Sequence, residues 1–221
     1  MRKTLTIIKN SILDILFPKF CLNCNREGQW LCEDCFSLID IFEKQYSPST
    51  TKLTNLYCTT SYDNFIVKKL INQFKYKPYI KELSEPLTLL IITHLNKLEN
   101  PPDFNEFILI PVPLRKNKLK QRGFNQAHEI GQQISKSLKI PIYNNLLSKI
   151  KQTPSQMELD KEQRIKNLAG AFKCEQPELV KNKKILLVDD IFTTGSTMRE
   201  CAITLRNAGA QEIRGIAIAR A

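Results

Sequence analysis

With 221 residues, 42% of them hydrophobic and 25% charged, the chain can build one ordinary packed domain plus a small appendage. A disordered chain is excluded by that composition. The formal net charge of +11 is regional: residues 115–184 hold 16 Lys/Arg against 6 Asp/Glu, and the remainder is nearly neutral. Such a patch suits phosphates or nucleic acid, and equally a solvated basic surface.

At the amino terminus, Arg2-Lys3 ahead of an apolar run has the look of a signal peptide. Lys9, Asn10 and Asp14 interrupt that run, however, and no Ala-x-Ala site follows. Leu5, Ile8, Ile12, Ile15 and Leu16 recur at helical spacing and predict a short amphipathic helix that docks on the protein and stops at Pro18. No uninterrupted apolar run reaches transmembrane length, so a soluble, cytoplasmic protein is expected.

Cys21-x-x-Cys24 and Cys32-x-x-Cys35, with seven residues between the pairs, form two knuckles of the kind that wrap a tetrahedral ion. Four thiolates at this spacing suit a structural Zn²⁺ in a compact ribbon. Free thiols and two disulfides are the alternatives, and a reducing compartment disfavours the disulfides. Cys58, Cys174 and Cys201 are isolated and read as small core residues. From Lys44 to Asn55 the sequence turns to Ser, Thr, Pro and Lys, a linker signature. It separates a module of one helix and four cysteines (1–50) from a larger domain (56–221).

Tyr57–Tyr62 then predicts a strand, and Asp63 is expected to cap a helix over Asn64–Phe74 with Phe65, Leu70, Ile71 and Phe74 on its apolar side. A second, mostly aliphatic helix is expected over Leu83–Leu98, with Pro86 in its first turn and His94 as a core histidine. Phe107–Pro113 reads as a buried strand, with the prolines at its carboxyl end where pairing stops. The segment from Arg115 to Gln126 is expected to be a mobile cationic loop at the end of that strand, its Arg115 and Arg122 placed to meet an anionic ligand. His128–Leu138 returns to helical spacing. His128 itself is either a phosphate or base contact or a surface residue. Residues 151–173 read as a solvated helix followed by a strand.

Ile185-Leu186-Leu187-Val188 is a strand with no polar face, the pattern of a parallel sheet covered on both sides. Asp189 and Asp190 stand at its carboxyl end, where open α/β sheets bind ligands. Thr193-Thr194-Gly195-Ser196-Thr197 follows and opens onto a helix. Gly195 tolerates positive φ, and the hydroxyls and N–H groups at the helix start can cradle a phosphate. The two acids accept hydrogen bonds from hydroxyls such as a ribose diol. No Lys follows the glycine, unlike the nucleoside triphosphate P-loop. The run resembles the 5-phosphoribosyl pyrophosphate (PRPP) loop of type I phosphoribosyltransferases. A helix over Met198–Asn207, closed by Gly209, and a strand over Ile213–Ile218 complete an alternating α/β pattern.

Taken together, these blocks resemble the ComF (GntX-like) family: Pro18 to Cys35, Tyr62 to Lys77, Pro111-Val112-Pro113-Leu114, Arg122-Gly123-Phe124-Asn125-Gln126-Ala127, Gln156 through Arg164, Asn167 and Phe172, and Val188 to Thr197. The resemblance implies a zinc ribbon fused to a type I phosphoribosyltransferase-like parallel sheet flanked by helices. It further implies PRPP with Mg²⁺ as ligand, held by Asp189, Asp190, Thr193, Thr194, Gly195, Ser196 and Thr197 with Arg115 and Arg122. A role in DNA uptake during natural transformation follows from it, with single-stranded DNA and a DNA-uptake helicase as partners and a homodimer allowed. Two readings stay open. One is a PRPP- and DNA-binding competence factor, with Phe124 and the Tyr76/Tyr79 pair as stacking faces or core residues. The other is an enzyme that transfers phosphoribose to a nitrogen acceptor.

Overall fold

The computed structural model describes residues 18–47, 52–151 and 168–221. The expected helix within residues 1–17 lies outside this range, as do Gln156, Arg164 and Asn167.

Four largely buried strands form one parallel sheet: β1 (Leu56–Ser61), β2 (Phe107–Pro111), β5 (Lys184–Phe192) and β6 (Glu212–Arg220), in spatial order β1-β6-β5-β2. Side chains alternate across it, so each strand feeds two cores. On one face lie Tyr57, Leu109, Leu186, Val188, Ile216 and Ile218, covered by α2 (Phe65–Lys75), α3 (Ser84–Lys97) and α5 (Gln126–Leu138). On the other lie Cys58, Ile108, Ile110, Ile185, Leu187 and Ala217, covered by α7 (Ser196–Asn207) through Met198, Cys201, Ala202 and Leu205. An antiparallel ribbon, β3 (Leu147–Lys149) with β4 (Phe172–Cys174), adds Leu147 and Phe172 to this second core. From β4 the one-turn helix α6 (Pro177–Val180), with Val180 buried, leads the chain into β5. The architecture is thus the α/β parallel sheet flanked by helices that the sequence predicts.

Local chemistry sets the ends of these elements. Asn64, not Asp63, caps α2: its side-chain oxygen accepts from the N–H groups of Ile66 and Val67. Leu70, Ile71 and Phe74 are buried as expected, whereas Phe65, the first helical residue, is 66% exposed and Ile66 and Val67 take the inward positions of that turn. His94 is buried on α3, its Nδ1 2.6 Å from the Phe42 carbonyl oxygen. Among the isolated cysteines, Cys58 and Cys201 are buried and Cys174 is half-buried.

The cysteine module packs onto the first face. A hairpin closed by Cys21 N–H donating to the Arg26 carbonyl (2.8 Å) and Gly28 N–H to that of Lys19 (2.8 Å) leads into the short helix α1 (Glu33–Ser37). Cys21, Leu31, Cys32, Cys35, Ile39 and Ile41 belong to the same apolar cluster as α2 and α3. The chain leaving the module then runs along the open edge of β1. Phe42 N–H donates to Thr59, Tyr46 pairs with Leu56, and the Thr60 hydroxyl reaches the Asp40 carbonyl. An edge that would otherwise present unpaired backbone is covered in this way.

Candidate functional site

The site begins where two neighbouring strands differ in length. β2 pairs with β5 only as far as Pro111 opposite Val188. On its other side β5 stays paired with β6 through Asp189, Ile191 and Phe192. The strand therefore extends beyond the four aliphatic residues, and both acids stand on fixed backbone beside the place where β2 has ended. Alternation sends them to opposite faces of the sheet.

Asp190 is buried on the helical face and paired with Lys75, from the last turn of α2, at 2.9 Å. Its Oδ1 also accepts from the Ile191 N–H at 2.7 Å. Asp189 accepts from the Asp190 N–H at 2.9 Å. Burial, reinforced by the charge of Asp190, pushes the Asp189 carboxyl up to about 7, with Lys75 pulling the other way.

After Phe192 the chain turns through Gly195, at φ 73°, and enters α7. Ser196 is buried, and its hydroxyl lies 2.7 Å from that of Thr194. Thr193 is exposed; Thr194 and Thr197 are half-buried. Thr193 to Thr197 thus form one continuous turn capping a helix of three turns, whose first N–H groups have no partner within the helix.

Cations close the site from two layers. Residues 116–122, expected as a mobile loop, are instead a helix, α4 (Lys116–Arg122), ended by Gly123 at φ 80°. Its sequence lacks an apolar stripe and none of its residues is buried, so hydrophobic periodicity could not reveal it. Lys, Leu, Gln and Arg nonetheless favour helix, and a left-handed glycine supplies the stop. Lys118 is lowered by partial desolvation and by the charges of Arg122, Arg115 and Lys75, with Asp190 opposing. Arg122 donates to the Gln126 side-chain oxygen at 2.9 Å and lies 5.9 Å from the centre of the Tyr76 ring. From the second layer, Lys149 on β3 is brought down to about 8, first by burial and then by Arg115 and Lys118, with Cys201 and Asp189 opposing. Arg115, Arg122, Asp189, Asp190 and the Thr-Gly-Ser turn therefore share one sheet edge.

Lys75 and Lys149 were not singled out in the sequence: Lys75 lies in the block from Tyr62 to Lys77 without a chemical role attached to it, and Lys149 lies outside every block. Of the remaining candidates, Phe124 is buried against Phe74, with ring centres 5.4 Å apart, so its role is packing. Tyr76 is 47% exposed. His128 Nδ1 lies 3.7 Å from Glu129 on its own helix, and its Nε2 is buried without a hydrogen-bond partner.

A second group of side chains converges in the amino-terminal module. The Sγ atoms of Cys21, Cys24, Cys32 and Cys35 all lie within 4.8 Å of one another, and Cys24 and Cys32 approach to 3.5 Å. A tetrahedral ion with sulfur at about 2.3 Å requires separations of about 3.8 Å, so the cluster fits such an ion. Cys21 comes down to about 6: burial works against this, but backbone donors at Cys24, Cys32 and Asn23 prevail. Cys35 accepts from the Asn23 amide at 3.3 Å, which favours its thiolate. Burial and the three neighbouring thiols outweigh that contact and push Cys35 up to about 12.

The phosphoribosyl transferase domain family matches residues 125–221, which include the acids and the turn. Over 219 residues the chain is 32% identical to competence protein F of Haemophilus influenzae, spanning 93% of this chain and 86% of that protein. The chain belongs to the ComF family. Other ComF relatives include DNA utilization protein YhgH of Escherichia coli K12, 32% identical over 146 residues (64% of this chain, 62% of that one). Competence protein ComFC of Streptococcus pneumoniae is 29% identical over 122 residues (53% and 50%). Among the described residues, no helix of this ComF protein is long and apolar enough to cross a membrane.

Because the folded Asp189 carboxyl holds its proton to about 7 and an unfolded one only to about 4, native stability falls as pH rises through that window. Asp189→Asn removes the effect. Its stability advantage over wild type is expected to grow by at least about 1 kcal/mol between about pH 5 and about pH 8 in urea denaturation. An advantage that does not change with pH contradicts the burial of this acid.

Proposed function

We propose that this ComF protein binds PRPP at the β5 edge and acts in DNA uptake, gripping single-stranded DNA through α4. The observation that carries the first half is the pair of strand-end acids set directly before a Gly195 turn that opens a helix. Phosphate and diol need opposite partners, and the site offers both: N–H groups and hydroxyls for the 5-phosphate, carboxylates for the ribose. Arg115, Lys118, Arg122 and Lys149 supply the charge a pyrophosphate needs. Mg²⁺ bound with the pyrophosphate would offset part of the ligand's own charge. If the site binds as proposed, PRPP with Mg²⁺ raises the melting temperature of wild type in a concentration-dependent way. The Asp189→Asn/Asp190→Asn variant, folded, shows no such rise. An equal rise in both removes the acids from the site.

The DNA half rests on the names of the relatives and on the outer face of α4. Lys116 and Lys120 lie one helical turn apart, exposed, on a helix with no buried residue. Tyr76 offers an exposed ring nearby for stacking. Lys116→Ala/Lys120→Ala is expected to weaken single-stranded DNA binding and to reduce the slope of log affinity against log salt by about one to two. Unchanged affinity and slope would remove α4 from the DNA contact. A DNA-uptake helicase is the kind of protein partner this role calls for.

For the cysteine cluster the proposed occupant is Zn²⁺, with a structural role, because all four tetrahedral positions are filled by sulfur. Since three of the cysteines share the apolar cluster of α2 and α3, metal loss should loosen more than the module. Cys21→Ser is expected to bind little zinc and to melt lower over its whole transition. Full zinc retention would refute four-thiolate binding.

A further inference from the structure

The ion pair between Lys75 and Asp190 has a consequence for how a ligand enters, and it rests on the PRPP reading above. Lys75 lies well before residue 125, where the phosphoribosyl transferase domain match begins, within the block from Tyr62 to Lys77 to which the sequence assigns no chemistry. It is nonetheless fixed in the site. Both partners are largely buried, with side-chain exposures of 19% for Lys75 and 12% for Asp190. The α2 carboxyl end that carries it is tied down from both sides. The Gln126 amide donates to the Phe74 carbonyl at 3.2 Å, and Arg122, which donates to that same Gln126, lies over the ring of Tyr76.

The Asp190 oxygen that faces Lys75 is already in use. Oδ1 takes both the Lys75 ammonium at 2.9 Å and the Ile191 N–H at 2.7 Å. A carboxylate oxygen has about two lone-pair directions, so a ribose hydroxyl seeking this atom must displace one donor. The Ile191 N–H belongs to the strand and cannot leave. Lys75 can, because its ammonium sits on a flexible four-carbon stem.

A displaced, largely buried ammonium requires another anion. Electrostatics show where one would be found. The charges of Arg122, Arg115 and Lys75 all act on Lys118, which marks the space around Lys118 as strongly cationic. That space is where the pyrophosphate of the ligand would lie.

We propose that Lys75 is a placeholder cation: it neutralises Asp190 in the free protein and passes to the ligand's pyrophosphate when a ribose hydroxyl takes its place on the carboxylate. The amino-terminal half of the chain thereby completes a site whose acids and phosphate turn come from the carboxyl-terminal half. Ribose binding and pyrophosphate binding become coupled, because each favours the same position of one side chain. A ligand carrying both groups gains from the exchange; ribose 5-phosphate alone must displace Lys75 without offering it the pyrophosphate.

The test is calorimetric titration of three probes, PRPP with Mg²⁺, pyrophosphate with Mg²⁺ and ribose 5-phosphate, into wild type, Lys75→Met and Lys75→Arg, each checked for a wild-type-like fold. The expected result is a loss of about tenfold or more in Lys75→Met for PRPP and pyrophosphate. Ribose 5-phosphate should bind as well as before or better, and Lys75→Arg should retain most PRPP affinity. Two results overturn the proposal: PRPP affinity in Lys75→Met within about twofold of wild type, or an equal fall for ribose 5-phosphate, which would make Lys75 only a support for Asp190. If wild type binds none of the probes, the PRPP reading falls and this one with it.

Discussion

Two adjacent carboxylates at the end of a central strand, Asp190 buried and Asp189 half-buried, are the constraint around which this protein is arranged. Nothing about folding favours them. Burial raises Asp189, Asp190 adds to the effect, and both need cationic company. The strand holds them there because β6 continues to pair with β5 after β2 has stopped at Pro111. The sheet thus leaves a notch on one side of the acids and keeps rigid backbone on the other. Rigid backbone is what a binding constellation needs.

The two layers of the domain answer that constraint separately. Lys75 comes from α2 on one face and Lys149 from the β3–β4 ribbon on the other, while α4 brings Arg115, Lys118 and Arg122 across the open edge. These cations exceed the two acids, and the surplus is what makes the edge a place for a polyanion. The cysteine module contributes indirectly. Its apolar residues join the cluster under α2 and α3, so it braces the layer from which Lys75 projects. Its outgoing chain seals β1, leaving the carboxyl edge of the sheet as the place where chemistry is exposed.

Much of this was legible from the residues. Ile185 to Val188 could only be a strand covered on both faces, and the turn from Thr193 to Thr197 into a helix follows the two acids as expected. The paired Cys-x-x-Cys knuckles were equally plain, and the structure brings their four sulfurs together. What escaped was set by long-range packing or by weak local signals. α4 has no apolar periodicity to betray it. The start of α2 turned on whether Asp63 or Asn64 made the cap, a choice between adjacent residues of similar capping strength. Lys75 meets Asp190 across more than half the chain, and one lysine among many carries no mark of its partner until the fold is known.

The proposed function depends on the acids and the Gly195 turn acting together as one cup for a phosphoribosyl group. A crystal structure of the protein with PRPP and Mg²⁺ tests this most directly. The 5-phosphate is expected on the N–H groups of the turn between Thr194 and Thr197, with the ribose hydroxyls within hydrogen-bonding distance of Asp189 and Asp190. Ligand density confined to the outer face of α4, with the cup empty at saturating PRPP, would contradict it.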